Sequence, residues 1–132
     1  MVTFLSFFAG KLLSVKPSVA TWMPKLFAQN ERVVYIGKKK SNSNFFSFTA
    51  VGATNVGSIL IRIDPEINIL GTNCNLKNGF CRKQKWNCNM VGKGEIFGEF
   101  NLGSTIVLIF EAPKDFQFNV KSGEKVKVGQ KL

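Results

Sequence analysis

Histidine is absent from this chain of 132 residues. Imidazole is the side chain whose ordinary pKa best suits proton transfer near neutral pH. A mechanism that needs an imidazole therefore cannot be completed by this sequence alone.

Cysteine is scarce, and its count of three is odd. Cys74, Cys81 and Cys88 recur every seven residues, but an odd number does not close a disulfide framework. A structural zinc ion takes four Cys or His ligands, so three cysteines without histidine do not complete a zinc site. We interpret them as free thiols in a loop of an intracellular protein, and we expect no metal.

Acidic residues are also few, since 8 Asp and Glu stand against 18 Lys and Arg, for a net charge of +10. A basic surface favours nucleic acid, acidic lipid headgroups or acidic proteins as partners. No zinc-finger or helix-turn-helix pattern appears, so nucleic acid is not the expected partner. A basic nucleic-acid-binding β domain remains an alternative that rests on charge alone.

No apolar run approaches the roughly 20 residues of a membrane-spanning helix. The content of 45% hydrophobic and 20% charged residues is typical of one globular domain. Residues 1–25 contain lysines but no acid, which resembles a transit peptide. A folded segment that happens to be basic is the alternative.

Strand-forming sequence is abundant, with β-branched and aromatic runs separated by glycines. A short helix is predicted over 18–29 from the helical spacing of its apolar residues, although Pro24 would break or kink a long helix. The fold class predicted is mainly β (α+β), a β-sandwich or barrel-like domain with one short helix. The strands predicted are 32–36, 45–51, 58–63, 105–110 and 116–120.

Residues 71–94 differ from their surroundings because they lose apolar periodicity, contain no acid and carry all three cysteines. We predict an exposed basic excursion between two β layers, anchored by Phe80 and Trp86. It is either a solvated loop or a binding surface. If it binds, basic residues beside aromatics favour an anionic membrane surface.

One serine has surroundings that suggest chemistry. Gly103 and Ser104 lie at a predicted turn that leads into an apolar strand, within GEFNLGSTIVLIFEAPKDF at 98–116. Taken alone, Gly-Ser-Thr is typical of an ordinary β-turn. A glycine would also let the backbone bend so that the Ser104 hydroxyl reaches the preceding carbonyl, as self-cleavage at a serine requires.

Other blocks accompany this segment: LFAQNERVV at 26–34, VGATNVGSI at 51–59 and a glycine-punctuated hairpin at 123–129. In this order the blocks resemble phosphatidylserine decarboxylases, particularly the mitochondrial type. FFAGKLLSV at 7–15 is similar to the folded segment that follows the family's histidine motif, which favours interior family sequence over a transit peptide.

The resemblance implies that residues 1–132 are the C-terminal part of the catalytic domain. Residues 1–103 would end the β chain, and residues 104–132 would form the α chain after cleavage. The family's catalytic aspartate and histidine belong to upstream motifs that this sequence lacks. Asp64 and Asp115 lie in the wrong blocks to replace that aspartate.

The resemblance also implies that Ser104 is the catalytic residue and that Gly103 and Ser104 form the cleavage site. Ser104 would become a covalent pyruvoyl group that forms a Schiff base with phosphatidylserine and acts as the electron sink for loss of CO2. The product would be phosphatidylethanolamine. Arg62 is a candidate to hold the lipid phosphate, and the alternative is an exposed strand-edge charge.

The implied partners are phosphatidylserine, an anionic membrane surface and the paired α and β chains, at the mitochondrial inner membrane. The alternative is an inactive remnant that keeps the fold and binds anionic lipid. General acid–base assistance is commonly worth about 10²–10⁴-fold. Because the upstream residues are missing, we predict that this chain matures poorly or not at all when expressed alone.

Overall fold

The computed structural model describes residues 2–8, 10–39, 42–54, 56, 58–62, 68–70, 82–85, 91–92 and 94–132. These residues form eight strands and two short helices. In chain order the elements are β1 (Val2–Phe8), α1 (Pro17–Trp22), α2 (Leu26–Gln29), β2 (Arg32–Lys38), β3 (Phe45–Val51), β4 (Ser58–Ile61), β5 (Asn68–Leu70), β6 (Arg82–Lys85), β7 (Gly98–Phe100) and β8 (Thr105–Phe110).

The larger sheet has five antiparallel strands in the order β6-β1-β2-β3-β8. Side chains alternate between the two faces of a strand, and in β2 this buries Val33 and Tyr35 while Ile36 stays exposed. Tyr35 is paired with Phe48 of β3. Burial on one face therefore fixes the register of the central strands.

The smaller sheet has three antiparallel strands in the order β5-β4-β7. Its central strand buries Ile59 and Ile61 in the same core cluster as Val33 and Tyr35 of the larger sheet. The Phe97 ring packs edge-on against Tyr35, with centroids 5.0 Å apart. The core thus lies where the two sheets meet, which confirms the mainly β, α+β prediction. The strand order of the described residues is open and shows no barrel closure.

The predicted single helix over 18–29 is wrong in one respect, since the structure has two helices, α1 and α2. They are separated by a turn at Pro24 and Lys25, and Lys25 adopts a left-handed φ of 57°. Proline lacks the N–H that helix propagation needs. Among the described residues neither helix, of six and four residues, has the length and apolarity to cross a bilayer.

The strands predicted at 45–51 and 105–110 are confirmed, and β2 runs two residues beyond its predicted end. The described part of the strand predicted at 58–63 ends at Ile61, and Ile63 lies outside the described residues. The structure also contains β1, β5, β6 and β7, which the sequence reading did not predict.

The strand predicted at 116–120 is wrong, because these residues form no ladder. Instead the rings of Phe116 and Phe118 pack edge-on against Phe110 and against each other. The predicted hairpin at 123–129 is a pair of isolated turns, at which Gly123 and Gly129 adopt φ of 83° and 78°.

The excursion predicted at 71–94 is corrected in part, because residues 82–85 form β6 and pair with β1. Its predicted anchors, Phe80 and Trp86, and the three cysteines lie outside the described residues. In the part of the chain that the structure describes, no cluster of His, Cys, Asp or Glu could hold a metal ion.

Candidate active site

Ser104 lies immediately before β8, which is the edge strand that pairs with β3. The first pair of that ladder joins Val51 to Thr105. The half-buried Ser104 hydroxyl donates a hydrogen bond to the Val51 carbonyl oxygen, with the oxygens 2.5 Å apart. A carbonyl oxygen orients a hydroxyl but does not serve as its general base. The structure therefore shows a positioned hydroxyl.

Gly103 is exposed, and a Cβ added to it would meet no atom within 4 Å. Its φ is not in the left-handed region, which among the described glycines is occupied by Gly94, Gly123 and Gly129. The chain bends at Asn101 and Leu102, just before Gly103. The expectation that Gly103 lets the Ser104 hydroxyl reach the preceding carbonyl stays a prediction.

The acceptor of the Ser104 hydroxyl belongs to a peptide unit that is held from its other side. The Val51 carbonyl and the Gly52 N–H are parts of one peptide group, and the Gly52 N–H donates to the Glu31 carbonyl at 2.7 Å. Hydrogen bonds at both ends of a peptide group fix its plane and polarise one another. The position of the Ser104 hydroxyl thus depends on the segment that precedes β2.

Asn30 is fully buried where α2 ends and β2 begins. Its amide nitrogen donates to the carbonyl oxygens of Leu13 and Gly52, both at 2.9 Å. Its side-chain oxygen accepts from the Leu13 N–H at 3.1 Å. One side chain therefore joins three segments that are far apart in the sequence.

The segment around Leu13 packs closely against the backbone of residues 29–31. A Cβ on Gly10 would lie 2.5 Å from the Gln29 carbonyl oxygen and 2.6 Å from the Glu31 nitrogen, so no side chain fits there. The Thr54 hydroxyl donates to the Leu12 carbonyl at 2.7 Å. We call residues 10–13, 30–31, 51–53 and 104 the Asn30 corner, which Thr54 borders.

Glu31 contributes a buried carboxyl group to the Asn30 corner. Its Oε1 atom has no hydrogen-bond partner among the described residues. Burial without compensation disfavours the charged form, so the pKa of the Glu31 carboxyl is raised. No hydrogen bond joins this carboxyl to the Ser104 hydroxyl, whose partner is the Val51 carbonyl.

Arg62, the residue predicted to hold a lipid phosphate, directly follows β4 of the smaller sheet. Its guanidinium is 2.9 Å from a carboxylate oxygen of Glu99, and both side chains are about half exposed. This contact matches the alternative reading of an exposed strand-edge charge. A role in phosphate binding stays a prediction.

Three of the sequence blocks meet in the Asn30 corner, namely those at 26–34, 51–59 and 98–116, and the segment at 7–15 joins them. Sequence reasoning identified Ser104 but did not assign a role to Asn30. The signal was the Asn-Glu-Arg segment within the block at 26–34, directly before an apolar strand. The bonds of Asn30 to Leu13 and Gly52 leave no local pattern because their partners lie 17 and 22 positions away.

Comparison with known proteins identifies the family of this chain. The family model "Phosphatidylserine decarboxylase" matches residues 1–132. The chain is 49% identical over 129 residues to the protein named "Phosphatidylserine decarboxylase proenzyme, mitochondrial" of Rattus norvegicus, covering 95% of this chain and 31% of that protein. It is 44% identical over 133 residues to "Phosphatidylserine decarboxylase proenzyme 1, mitochondrial" of Saccharomyces cerevisiae, covering 95% of this chain and 26% of that protein.

The chain therefore spans about a third or less of the length of these relatives. No solved structure matches it. The family model nevertheless covers the chain from end to end. The chain belongs to the phosphatidylserine decarboxylase family.

Proposed function

We propose that this chain carries the self-cleavage site of a decarboxylase that converts phosphatidylserine to phosphatidylethanolamine and CO2. The Gly103–Ser104 peptide bond would break to form a pyruvoyl group at position 104. The observation that supports this most directly is the Ser104 hydroxyl, held against the Val51 carbonyl where three family blocks converge. The match of the family model along the whole chain favours this function over an inactive remnant.

Self-cleavage would consist of an acyl shift, an elimination and a hydrolysis. The Ser104 oxygen attacks the Gly103 carbonyl carbon, the C–N bond breaks, and the nitrogen takes up the hydroxyl proton, which leaves an ester and a free amine. Loss of the Ser104 α-hydrogen then expels Gly103 as a carboxylate. Hydrolysis of the resulting dehydroalanine releases ammonia and leaves the keto group.

The structure fits such a break because the bond lies just outside the sheet. The ladder between β3 and β8 begins at Thr105, so every pair of that ladder remains when the preceding bond is cut. Beyond β8, the Glu111 N–H donates to the Phe45 carbonyl at 3.0 Å, and the Phe45 N–H donates to the Glu111 carboxylate at 2.8 Å. We propose that residues 104–132 stay bound to residues 1–103 as an α chain.

In the mature protein the pyruvoyl group would supply the electron sink for loss of CO2. The contribution of this chain is to hold position 104 rigidly at the start of a paired strand. The printed names of the relatives include the word mitochondrial. We propose a mitochondrial location at the inner membrane, and the net charge of +10 supports contact with an anionic lipid surface.

The test is to fuse this chain behind the part of the rat relative that precedes the matched segment and to measure intact masses. We expect two pieces, residues 1–103 and 104–132, and we expect a hydrazide probe to label the second piece. Ser104→Ala should stay whole and unlabelled. A fusion that remains uncleaved while it is folded would show the proposal to be wrong.

The same assay on the chain without the upstream part tests the prediction of poor maturation. We expect little or no splitting, because the proton-transferring groups of the family are not in this sequence. Efficient splitting of the isolated chain would contradict that prediction and would leave the cleavage site itself supported.

A further inference from the structure

The Ser104 hydroxyl has one hydrogen-bond partner in the described residues, the Val51 carbonyl. A nucleophile gains rate when it is held in the reactive orientation, and a displacement of about 1 Å can cost about 10²-fold. The groups that hold the Val51–Gly52 peptide therefore bear on the cleavage rate although they do not touch the reacting atoms.

We infer that Asn30 is a positioning residue for self-cleavage, acting on Ser104 through the Val51–Gly52–Ala53 backbone. The inference rests on the proposed cleavage at Ser104. Asn30 holds the Gly52 carbonyl by its side chain, and the next residue, Glu31, holds the Gly52 N–H by its backbone. Glu31 thus fixes the Val51–Gly52 peptide group, which carries the acceptor of the Ser104 hydroxyl. Asn30 fixes the next peptide group along the chain, Gly52–Ala53.

Asparagine suits this place because its side chain carries two N–H donors and one carbonyl acceptor. Both donors are used, on Leu13 and Gly52, and the oxygen accepts from Leu13. The side chain is 0% exposed, so water does not replace a lost partner. Asp would keep the acceptor but lose the donors at neutral pH.

Thr54 provides a matched control for the purely structural effect. It lies in the same turn as Gly52, and its hydroxyl ties that turn to the same N-terminal segment, at Leu12. Unlike the Asn30 side chain, the Thr54 side chain forms no hydrogen bond to the Gly52 carbonyl. Thr54→Val keeps the shape of the residue and removes only that tie.

The experiment measures the first-order cleavage rate of the fusion protein described above, carrying Asn30→Ala, Asn30→Asp or Thr54→Val. Thermal unfolding of each variant is measured in a Ser104→Ala background so that all samples are uncleaved. We expect Asn30→Ala to slow cleavage about 10–100-fold at a temperature where it stays folded. Thr54→Val should change the rate less than about twofold.

The pH profile of Asn30→Asp separates positioning from loss of stability, and it applies even if Asn30→Ala does not fold. Only the protonated carboxyl can donate to the Gly52 carbonyl, so the rate relative to wild type should rise as the pH falls. Glu31, Arg32 and Lys11 are the titratable residues whose backbone or side chains adjoin position 30. Dividing by the wild-type rate at each pH removes their shared contribution.

The outcomes are distinct. Slow cleavage by the Asn30 variants with acid recovery of Asn30→Asp supports the inference. If wild type cleaves and the Asn30 variants cleave as fast as Thr54→Val, the inference is wrong and the proposed function stands. If wild type does not cleave, the proposed function is wrong and the inference falls with it, because no reaction remains to be positioned.

Discussion

The Asn30 corner and the C-terminal tail, residues 112–132, are held in opposite ways. In the corner, hydrogen bonds join residues 17, 22 and 53 positions apart, and Asn30 and Val51 are fully buried. In the tail nearly every residue is exposed, and its turns are closed by bonds three positions apart, as from Gln130 to Lys127. Because these long-range hydrogen bonds are buried away from water, substitutions in the corner should lower stability more than substitutions in the tail.

The largest effect expected on stability comes from Gly10→Ala in the corner. The new Cβ would lie 2.5–2.6 Å from backbone atoms of residues 29–31, and backbone cannot move aside as a flexible side chain can. Overpacking of this kind costs about 1–3 kcal/mol. Urea unfolding of the uncleaved chain measures it.

Gly103→Ala is the matched control for Gly10→Ala. Its Cβ would meet nothing within 4 Å, so the free energy of unfolding should change by no more than about 0.5 kcal/mol. Equal losses for the two variants would contradict the packing argument and remove one basis for the contrast between the regions.

The next effect depends on pH and concerns Glu31→Gln. Burial raises the pKa of Glu31 above its ordinary value of 4.5, so the folded state binds this proton more tightly than the unfolded state does. The resulting stability is present below about pH 4.5 and is lost as the pH rises through the raised pKa. Glu31→Gln should therefore raise the melting temperature relative to wild type at pH 7 and leave it nearly unchanged at pH 4.

Thermal melts at both pH values check the Glu31 prediction. Glu111→Gln is the control, because that carboxylate is exposed and accepts a hydrogen bond from the Phe45 N–H. It should not raise the melting temperature at pH 7. A lower melting temperature for Glu31→Gln at pH 7 would mean that the buried carboxylate is stabilised as an anion.

The smallest effect is expected in the tail, from Phe118→Ala. Phe118 is 59% exposed, and its ring packs edge-on against Phe110 and Phe116. An aromatic pair contributes about 0.5–1.5 kcal/mol beyond the area that it buries, and exposure places this ring near the lower value. Urea unfolding should show a loss below about 1 kcal/mol, with Val128→Ala as a control near zero. A loss as large as that of Gly10→Ala would erase the contrast.

The content of β-branched and aromatic residues predicted strands such as β3 and β8, but it failed where tertiary context decides. Apolar and polar residues alternate at 116–120 as they do in a strand. The rings of Phe116 and Phe118 nevertheless pack against Phe110 without any β-ladder. β1 was missed because residues 1–25 were interpreted by their charge and not by their strand-forming content, and it becomes a strand by pairing with β2 and β6.

The candidate site was predictable at Ser104 and not around it. Ser104 lies in a distinctive block, but its acceptor is 53 residues away, and the pairing register that brings Val51 beside it is a property of the whole sheet. The role expected for Gly103, a backbone bend that lets the Ser104 hydroxyl reach the preceding carbonyl, stays a prediction, and Gly103 does not use the left-handed φ that favours glycine.

β8 is the outermost described strand of its sheet and contacts only β3 along its ladder. If the bond before Ser104 breaks, that ladder becomes an interface between two separate polypeptides. Unfolding would then also be dissociation, and its midpoint would depend on protein concentration, unlike that of the uncut chain. Cleavage would thus create the reactive terminus at position 104 and remove the covalent bond between the two pieces. After unfolding, residues 104–132 would no longer be bound to refold with the same copy of residues 1–103.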